Sequence, residues 1–246
     1  MLLTFLYHRI NEGKYANSEK RLLEHLNYLA TRYNIVLPGD KLSLFKLNVC
    51  LTFDDGFFDF YKIVFPLLKK LKIKALIAVP TKYILKTTTQ KDLVRISVPF
   101  KDAMRGTVYK TKAPFCSFEE LKEMLDSKLV HIASHSYNHV SLIEKDIDLN
   151  LEIIESKKIL EEKLNTKIDT FVYPFGKFNK NIHKEVKKHY KYAMRLGTAI
   201  NFSWQNISSI IYRIDSDNLK SKDVNFKLKR FISYFWFFFL NTFRKR

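Results

Sequence analysis

Short runs of apolar, β-branched and aromatic residues alternate along this chain with segments of helical periodicity, and few architectures accommodate that pattern. Repeated strand and helix units of this kind pack as a parallel sheet or barrel with helices outside it. Residues 2–7, 49–53, 75–79, 129–133 and 170–173 read as strands. Residues 18–32, with Leu22, Leu23, Leu26 and Leu29 at helical spacing, read as the first helix. Residues 60–71, 118–125, 148–164 and 181–190 supply further helices, and Ser117 with Glu120 forms a capping box that starts the one at 118. A stretch near 81–116 lacks periodicity and is too long for an ordinary connection, so it reads as an irregular insertion over a functional face.

At 46% hydrophobic residues, the 246-residue chain has ample material for a buried core. Its two cysteines, Cys50 and Cys116, lie too far apart in sequence to suggest a disulfide framework or a thiolate metal knot, which fits a reducing compartment. The opening MLLTFLYHRI lacks the features of a secretory signal, so a cytoplasmic protein is expected. A net charge of +18 concentrates phosphate-bearing partners of any kind. Nucleic acid is not expected among them, because no helix-turn-helix, zinc-finger or ribonucleoprotein signature is present.

The end of the chain departs from the rest. FISYFWFFFL, residues 231–240, is ten residues of nearly unbroken apolar character, well short of the ~20 needed to cross a bilayer. On a helical wheel Lys227, Arg230, Ser233, Tyr234, Asn241, Arg244 and Lys245 gather on one side, with Phe237 the exception. A basic, aromatic, amphipathic helix over 227–246 suits an anionic membrane surface, and a terminal helix packed on the domain or in a dimer is the alternative. The expected organisation is a catalytic domain at 1–222 followed by an interfacial tail at 223–246.

Three stretches carry chemistry. In LTFDDGFF a hydrophobic strand runs into Asp54, Asp55 and Gly56, at the carboxyl edge where βα architectures place their active sites. One carboxylate there can bind a metal while its neighbour faces water, although Asp-Asp-Gly is equally a common turn composition. In HIASHSYNH, His135 and His139 are spaced to reach one ion. Of the other histidines, His25, His183 and His189 read as surface residues of helices and His131 as a structural strand residue. In FVYPFG, the turn after Tyr173 at Pro174, Phe175 and Gly176 can aim a backbone N–H at a substrate.

As an ordered set, TFDDG, HSYNH and YPFG, preceded by YHRI, resemble the motifs of the polysaccharide deacetylase family, the NodB-type fold of carbohydrate esterase family four. The similarity covers about residues 1–215 and is strongest toward the poly-N-acetylglucosamine deacetylase branch. It implies a distorted (β/α)7-type barrel. It also implies a divalent metal, usually zinc, held by Asp55, His135 and His139. Asp54 would be the general base, and Phe175 would stand where the family presents a backbone N–H to the oxyanion. Tyr7 and His8 match a strand-end pair of that branch, and Arg213 matches an arginine that pairs with an active-site carboxylate. Tyr173, Pro174 and Gly176 complete the supporting turn.

Two departures stand out. The arginine usual before the third motif is replaced by Asp169–Thr170–Phe171–Val172, and no L-x-L-x-H pattern follows Gly197. The resemblance therefore assigns no proton donor for the leaving amine and leaves open a catalytically inactive glycan-binding or scaffold relative. The leading expectation is a carbohydrate N-deacetylase, a hydrolase of a linear amide bond. Its substrate would be an N-acetylhexosamine of a cell-envelope glycan or lipid-linked sugar, as in lipopolysaccharide biosynthesis, met at the inner face of the cytoplasmic membrane.

Overall fold

The computed structural model describes all residues except 12, 219–227 and 244–246, with side chains left undescribed at 228 and 229. Seven parallel strands close a barrel: β1 (Leu2–Tyr7), β2 (Asn48–Phe53), β3 (Ala75–Val79), β4 (Val130–Ser134), β5 (Thr170–Val172), β6 (Tyr192–Leu196) and β7 (Ile211–Asp215). β1 closes it by pairing with β2 over Leu2↔Asn48 through Tyr7↔Phe53 and with β7 at Phe5↔Ile214. β6 and β7 complete the ring between β5 and β1, yet neither stands out in the sequence as an apolar run.

The pleat divides the strand residues between two cores. Leu2, Cys50, Leu76, Ala78, Ala133, Val172, Met194 and Ile211 fill the barrel interior. Leu3, Phe5, Tyr7, Leu51, Phe53, Ile77, Ile132 and Phe171 turn outward and are covered by helices. These helices are α1 (Glu19–Arg32), α2 (Phe65–Leu71), α3 (Phe118–Asp126), α4 (Ser156–Leu164) and α5 (Lys180–His189). Ser18 caps α1, and the Ser117–Glu120 capping box starts α3 as predicted. Residues Phe60–Val64 and Asn150–Glu155 form π-helical turns leading into α2 and α4, so each predicted helix there is continuous but wider in its first turn.

The predicted insertion is made of short helices at Asp92–Ser97, Phe100–Ala103 and Val108–Thr111, too brief to carry a readable period. Two buried arginines tie it to the barrel. Arg9 bonds Asp59 at 2.9 Å and the carbonyls of Val98 and Ile96 at 2.6 and 3.0 Å. Arg95 grips Glu120 through both terminal nitrogens and bonds the carbonyls of Ala113 and Phe115. Each guanidinium satisfies several carbonyls that a helix-poor segment would leave unpaired.

The last helix, α6 (Leu228–Phe243), docks on the barrel. Tyr234 and Phe238 are buried, and Phe238 packs edge-on to Phe202. Asn241 Nδ2 donates to the Gly197 carbonyl at 2.7 Å. Tyr234 and Asn241, which the helical wheel gathers with the basic residues on one side, therefore face the barrel, where the Asn241 amide finds the Gly197 carbonyl and the Tyr234 carbonyl accepts the Ile200 N–H at 3.3 Å. Lys227, Arg244, Lys245 and the expected domain boundary at 222 lie outside the described residues.

Candidate active site

A cleft of about 280 Å³ opens at the carboxyl ends of the strands. The inward set that fills the barrel continues upward into its walls as Leu6 from β1 and His8 after it, Asp54 after β2, His135 after β4, Leu196 from β6, and Arg213 and Asp215 from β7. This is the edge where loops of a βα barrel place reactive groups.

Asp55 leaves the alternation by adopting a left-handed backbone, φ 70°, and so joins its neighbour at the cleft. Gly56, φ 68°, follows it with no room for a side chain, since a Cβ would lie 2.8 Å from Val79 Cγ1. Ser136 and His139 are also left-handed, φ 65° and 56°. Three non-glycine residues in this region imply that the surroundings hold the loops against their preference. Glu152 does much of this, accepting the N–H groups of Tyr137 and Asn138 at 3.0 and 2.9 Å and the Asn138 amide at 2.7 Å. Ser136 Oγ accepts the His139 N–H at 3.1 Å.

One ligand atom from each of Asp55, His135 and His139 lies within 4.8 Å of the others. His139 Nε2 is 3.2 Å and His135 Nε2 3.6 Å from Asp55 Oδ1. His135 Nδ1 donates to the Val172 carbonyl at 2.8 Å, which fixes the tautomer and leaves Nε2 with its lone pair toward the cluster. Both Asp55 carboxylate oxygens are buried without a hydrogen bond of good geometry among the described residues. A buried carboxylate in that state is costly unless a cation meets it. One aspartate and two imidazoles are donors suited to a divalent transition metal, so the residues present fit such an ion.

Burial alone would raise both aspartates, but their neighbours outweigh it. The His139 imidazole, with His8 and His135, holds Asp55 below the usual carboxylate range. Asp54 is held low by Arg213, whose Nη1 and Nη2 bond Oδ1 and Oδ2 at 2.6 and 2.8 Å. A bidentate fork of this kind fixes both position and charge. Burial draws His135 down to about 4 despite Asp54 beside it.

On the opposite wall, His8 Nδ1 meets Asp217 Oδ2 at 2.5 Å, and the His8 N–H donates to Asp217 Oδ1 at 3.2 Å. Burial would lower the imidazole, but the Asp217 hydrogen bond, with Asp55 and Asp54 nearby, raises it to about 9. Above the cluster, Pro174–Gly176 forms a 3-10 turn in which Phe175 has φ 57°. The turn is closed by the Gly176 N–H donating to the Tyr173 carbonyl at 3.0 Å, and Phe175 lines the cleft. Its ring packs 4.9 Å from that of His139.

The structure thus brings Asp54, Asp55, His135, His139, His8, Arg213, Tyr173, Phe175 and Gly176 to one cleft. Tyr7 and Pro174 do not line it. Tyr7 is outward on β1 and stacks on Phe53 at 5.0 Å, because adjacent strand residues point to opposite faces. Pro174 is buried beneath the turn it stiffens. Two of the histidines read as surface residues differ as well. His25 is wholly buried under β1, while His183 is half-buried, bonded to the Tyr173 hydroxyl at 2.8 Å. Tyr15, Phe100 and Leu196 on the rim, and Asp217 and Glu152 behind it, escaped the sequence reading. Only a fold can bring Asp217 to His8 across 209 residues.

A family model described as polysaccharide deacetylase matches residues 46–193. The poly-beta-1,6-N-acetyl-D-glucosamine N-deacetylase of Escherichia coli (strain K12) is 26% identical over 168 residues, 57% of this chain. The chain spans only 23% of that relative's length. Among solved structures, Streptococcus pyogenes deacetylase PplD in complex with acetate superposes with a TM-score of 0.71 at 22% identity, covering 91% of this chain and 96% of that one. IcaB from Ammonifex degensii gives 0.71 at 21% identity, over 91% and 94%. Those two likenesses concern the fold.

Proposed function

Because the chain belongs to the polysaccharide deacetylase family, we propose that it is a metal-dependent N-deacetylase that removes acetyl from an N-acetylhexosamine of a cell-envelope glycan or lipid-linked sugar. The observation that carries this reading is the convergence of Asp55, His135 and His139 on one point with Asp54 beside them. A divalent cation, zinc in our reading, would be held by those three residues and would supply Lewis acidity toward water and the acetyl carbonyl.

The chain's own groups then divide the work. Asp54 stays anionic under Arg213 and, through a lone pair left free by the fork, accepts a proton from the attacking water. Phe175 lines the cleft, and its backbone N–H would meet the oxygen that gains charge as the acetyl carbon becomes tetrahedral. His8, charged and oriented by Asp217, gives a proton to the departing amine, filling the role that the missing late histidine motif leaves vacant. The rim aromatics Tyr15, Phe100 and Phe175 offer faces for sugar rings. A phosphate-bearing lipopolysaccharide or polyprenyl-phosphate-linked acceptor suits the +18 charge.

The test is acetate release from N-acetylglucosamine oligomers and lipid-linked N-acetylhexosamines, with and without chelator. Chelator-sensitive release is expected, and Asp54→Asn should lower it by about 10²- to 10⁴-fold while the protein keeps its metal. Release that persists in metal-free Asp54→Asn protein would sink the reading.

A further inference from the structure

We propose that the outer face of α6 is a docking surface for an anionic lipid bilayer, placed so that the cleft opens beside the membrane. One side of the helix is committed to the barrel through Tyr234, Phe238 and Asn241. The other side shows Ile232, Phe235, Trp236, Phe239 and Phe243, at a spacing that forms one stripe along the helix. Trp236 is 63% and Phe243 68% exposed, and Ile232 is 61% exposed. Isolated exposed apolar residues are ordinary, but a contiguous aromatic stripe marks a surface with a partner.

Three observations choose the bilayer. No helix among the described residues is long and apolar enough to cross a membrane, so α6 is suited to lying along the surface. The stripe holds a tryptophan among phenylalanines, the rings that settle at the headgroup boundary. The sequence brackets it with Lys229 and Arg230 before and Arg244, Lys245 and Arg246 after, within a chain of net charge +18. That charge attracts anionic headgroups and opposes the approach of a second identical copy. The position ties docking to the cleft: Asn241 holds the carbonyl of Gly197, whose neighbour Leu196 forms the cleft rim. A sugar carried on a lipid would therefore meet the mouth of the site without leaving the surface.

The experiment is co-sedimentation of the full chain with phosphatidylcholine vesicles, with and without about one third phosphatidylglycerol. The wild type should bind the anionic vesicles, less so at high salt. Trp236→Ser combined with Phe243→Ser should raise the lipid needed for half-binding by roughly tenfold or more. The melting temperature and acetate release from a soluble amino sugar should not change in that variant, since both side chains point away from barrel and cleft. In Trp204→Phe protein, which keeps Trp236 as its one tryptophan, emission should shift to the blue on anionic vesicles. Absence of vesicle binding, binding undiminished in the double variant, or a dimer by light scattering that the double variant dissolves would each overturn the proposal. Binding is read without substrate or metal, so its failure leaves the deacetylase reading standing, and Asp54→Asn should bind vesicles as the wild type does.

Discussion

Two histidines face each other across this cleft in opposite electrical surroundings. His135, after β4, is buried with its Nδ1–H spent on a carbonyl, and its pKa falls to about 4. His8, after β1, is backed by the Asp217 carboxylate and rises to about 9. At neutral pH one wall therefore presents an uncharged nitrogen lone pair and the other a charged N–H. Environments that drive similar groups apart in this way separate an electron-pair donor from a proton donor. Burial is the main lowering influence on both imidazoles: it prevails at His135, whose Nδ1 meets only the Val172 amide carbonyl, and is outweighed at His8 by the Asp217 carboxylate with Asp55 and Asp54 nearby.

Removing the ligand wall should cost most. His135→Ala is expected to abolish metal binding, read by elemental analysis, and to lower acetate release by at least about a thousandfold. Full activity with metal retained would break the assignment of the two walls.

Removing the donor wall should cost less and selectively. His8→Asn is expected to slow hydrolysis of a sugar acetamide by roughly a hundredfold with metal content unchanged. It should barely affect an activated acetate ester, whose leaving group needs no proton. An equal loss on both substrates would make His8 a structural support only. The same wall should show in stability. Because the His8 pKa is raised from 6.5 to about 9, the folded metal-free protein binds the extra proton. The contribution is complete below about pH 6.5 and is lost as the pH rises through about 9. Melting curves of metal-free protein across that window should fall more steeply for wild type than for His8→Asn.

Between the walls, Arg213→Lys keeps the charge beside Asp54 and loses the two-pronged hold. A drop of about tenfold in kcat is expected with KM little changed. An unchanged kcat would show that the fork is dispensable for Asp54.

Much of this was legible in the sequence, for physical reasons. β1 to β5 and α1 to α5 follow apolar periodicity and capping, which are local signals. Asp54, Asp55 and His135 sit directly after readable strands, where βα architectures place reactive groups, and His139 follows His135 by four residues in the same loop. β6 and β7 were hidden: YAMRL and IYRID carry arginines within strands, and Arg213 is buried only because Asp54 and Thr52 meet it from another strand. The insertion's short helices are held by Arg9 and Arg95 across the fold and have no local pattern to read. α6 was visible as a helix with a mixed stripe. The side that faces the barrel was not, since Asn241 needs the Gly197 carbonyl to make its polar group a packing group.

The smallest effect is expected one residue from one of the larger. Tyr7 and His8 form a single dipeptide, and only the strand pleat separates their fates. Tyr7 packs its ring on Phe53, and its hydroxyl, buried near Ser216, makes no hydrogen bond of good geometry among the described residues. Tyr7→Phe deletes that hydroxyl and keeps the ring, so stability should change by no more than about 1 kcal/mol in either direction. Acetate release and metal content should match the wild type. A loss in kcat comparable with that of His8→Asn would mean that the Tyr7 hydroxyl reaches the cleft. β1 would then be shifted by one residue, exchanging its inner and outer faces. Because Leu2 and Leu6 line the interior on the same parity as His8, such a result would displace the whole donor wall, and with it the contrast between the two imidazoles.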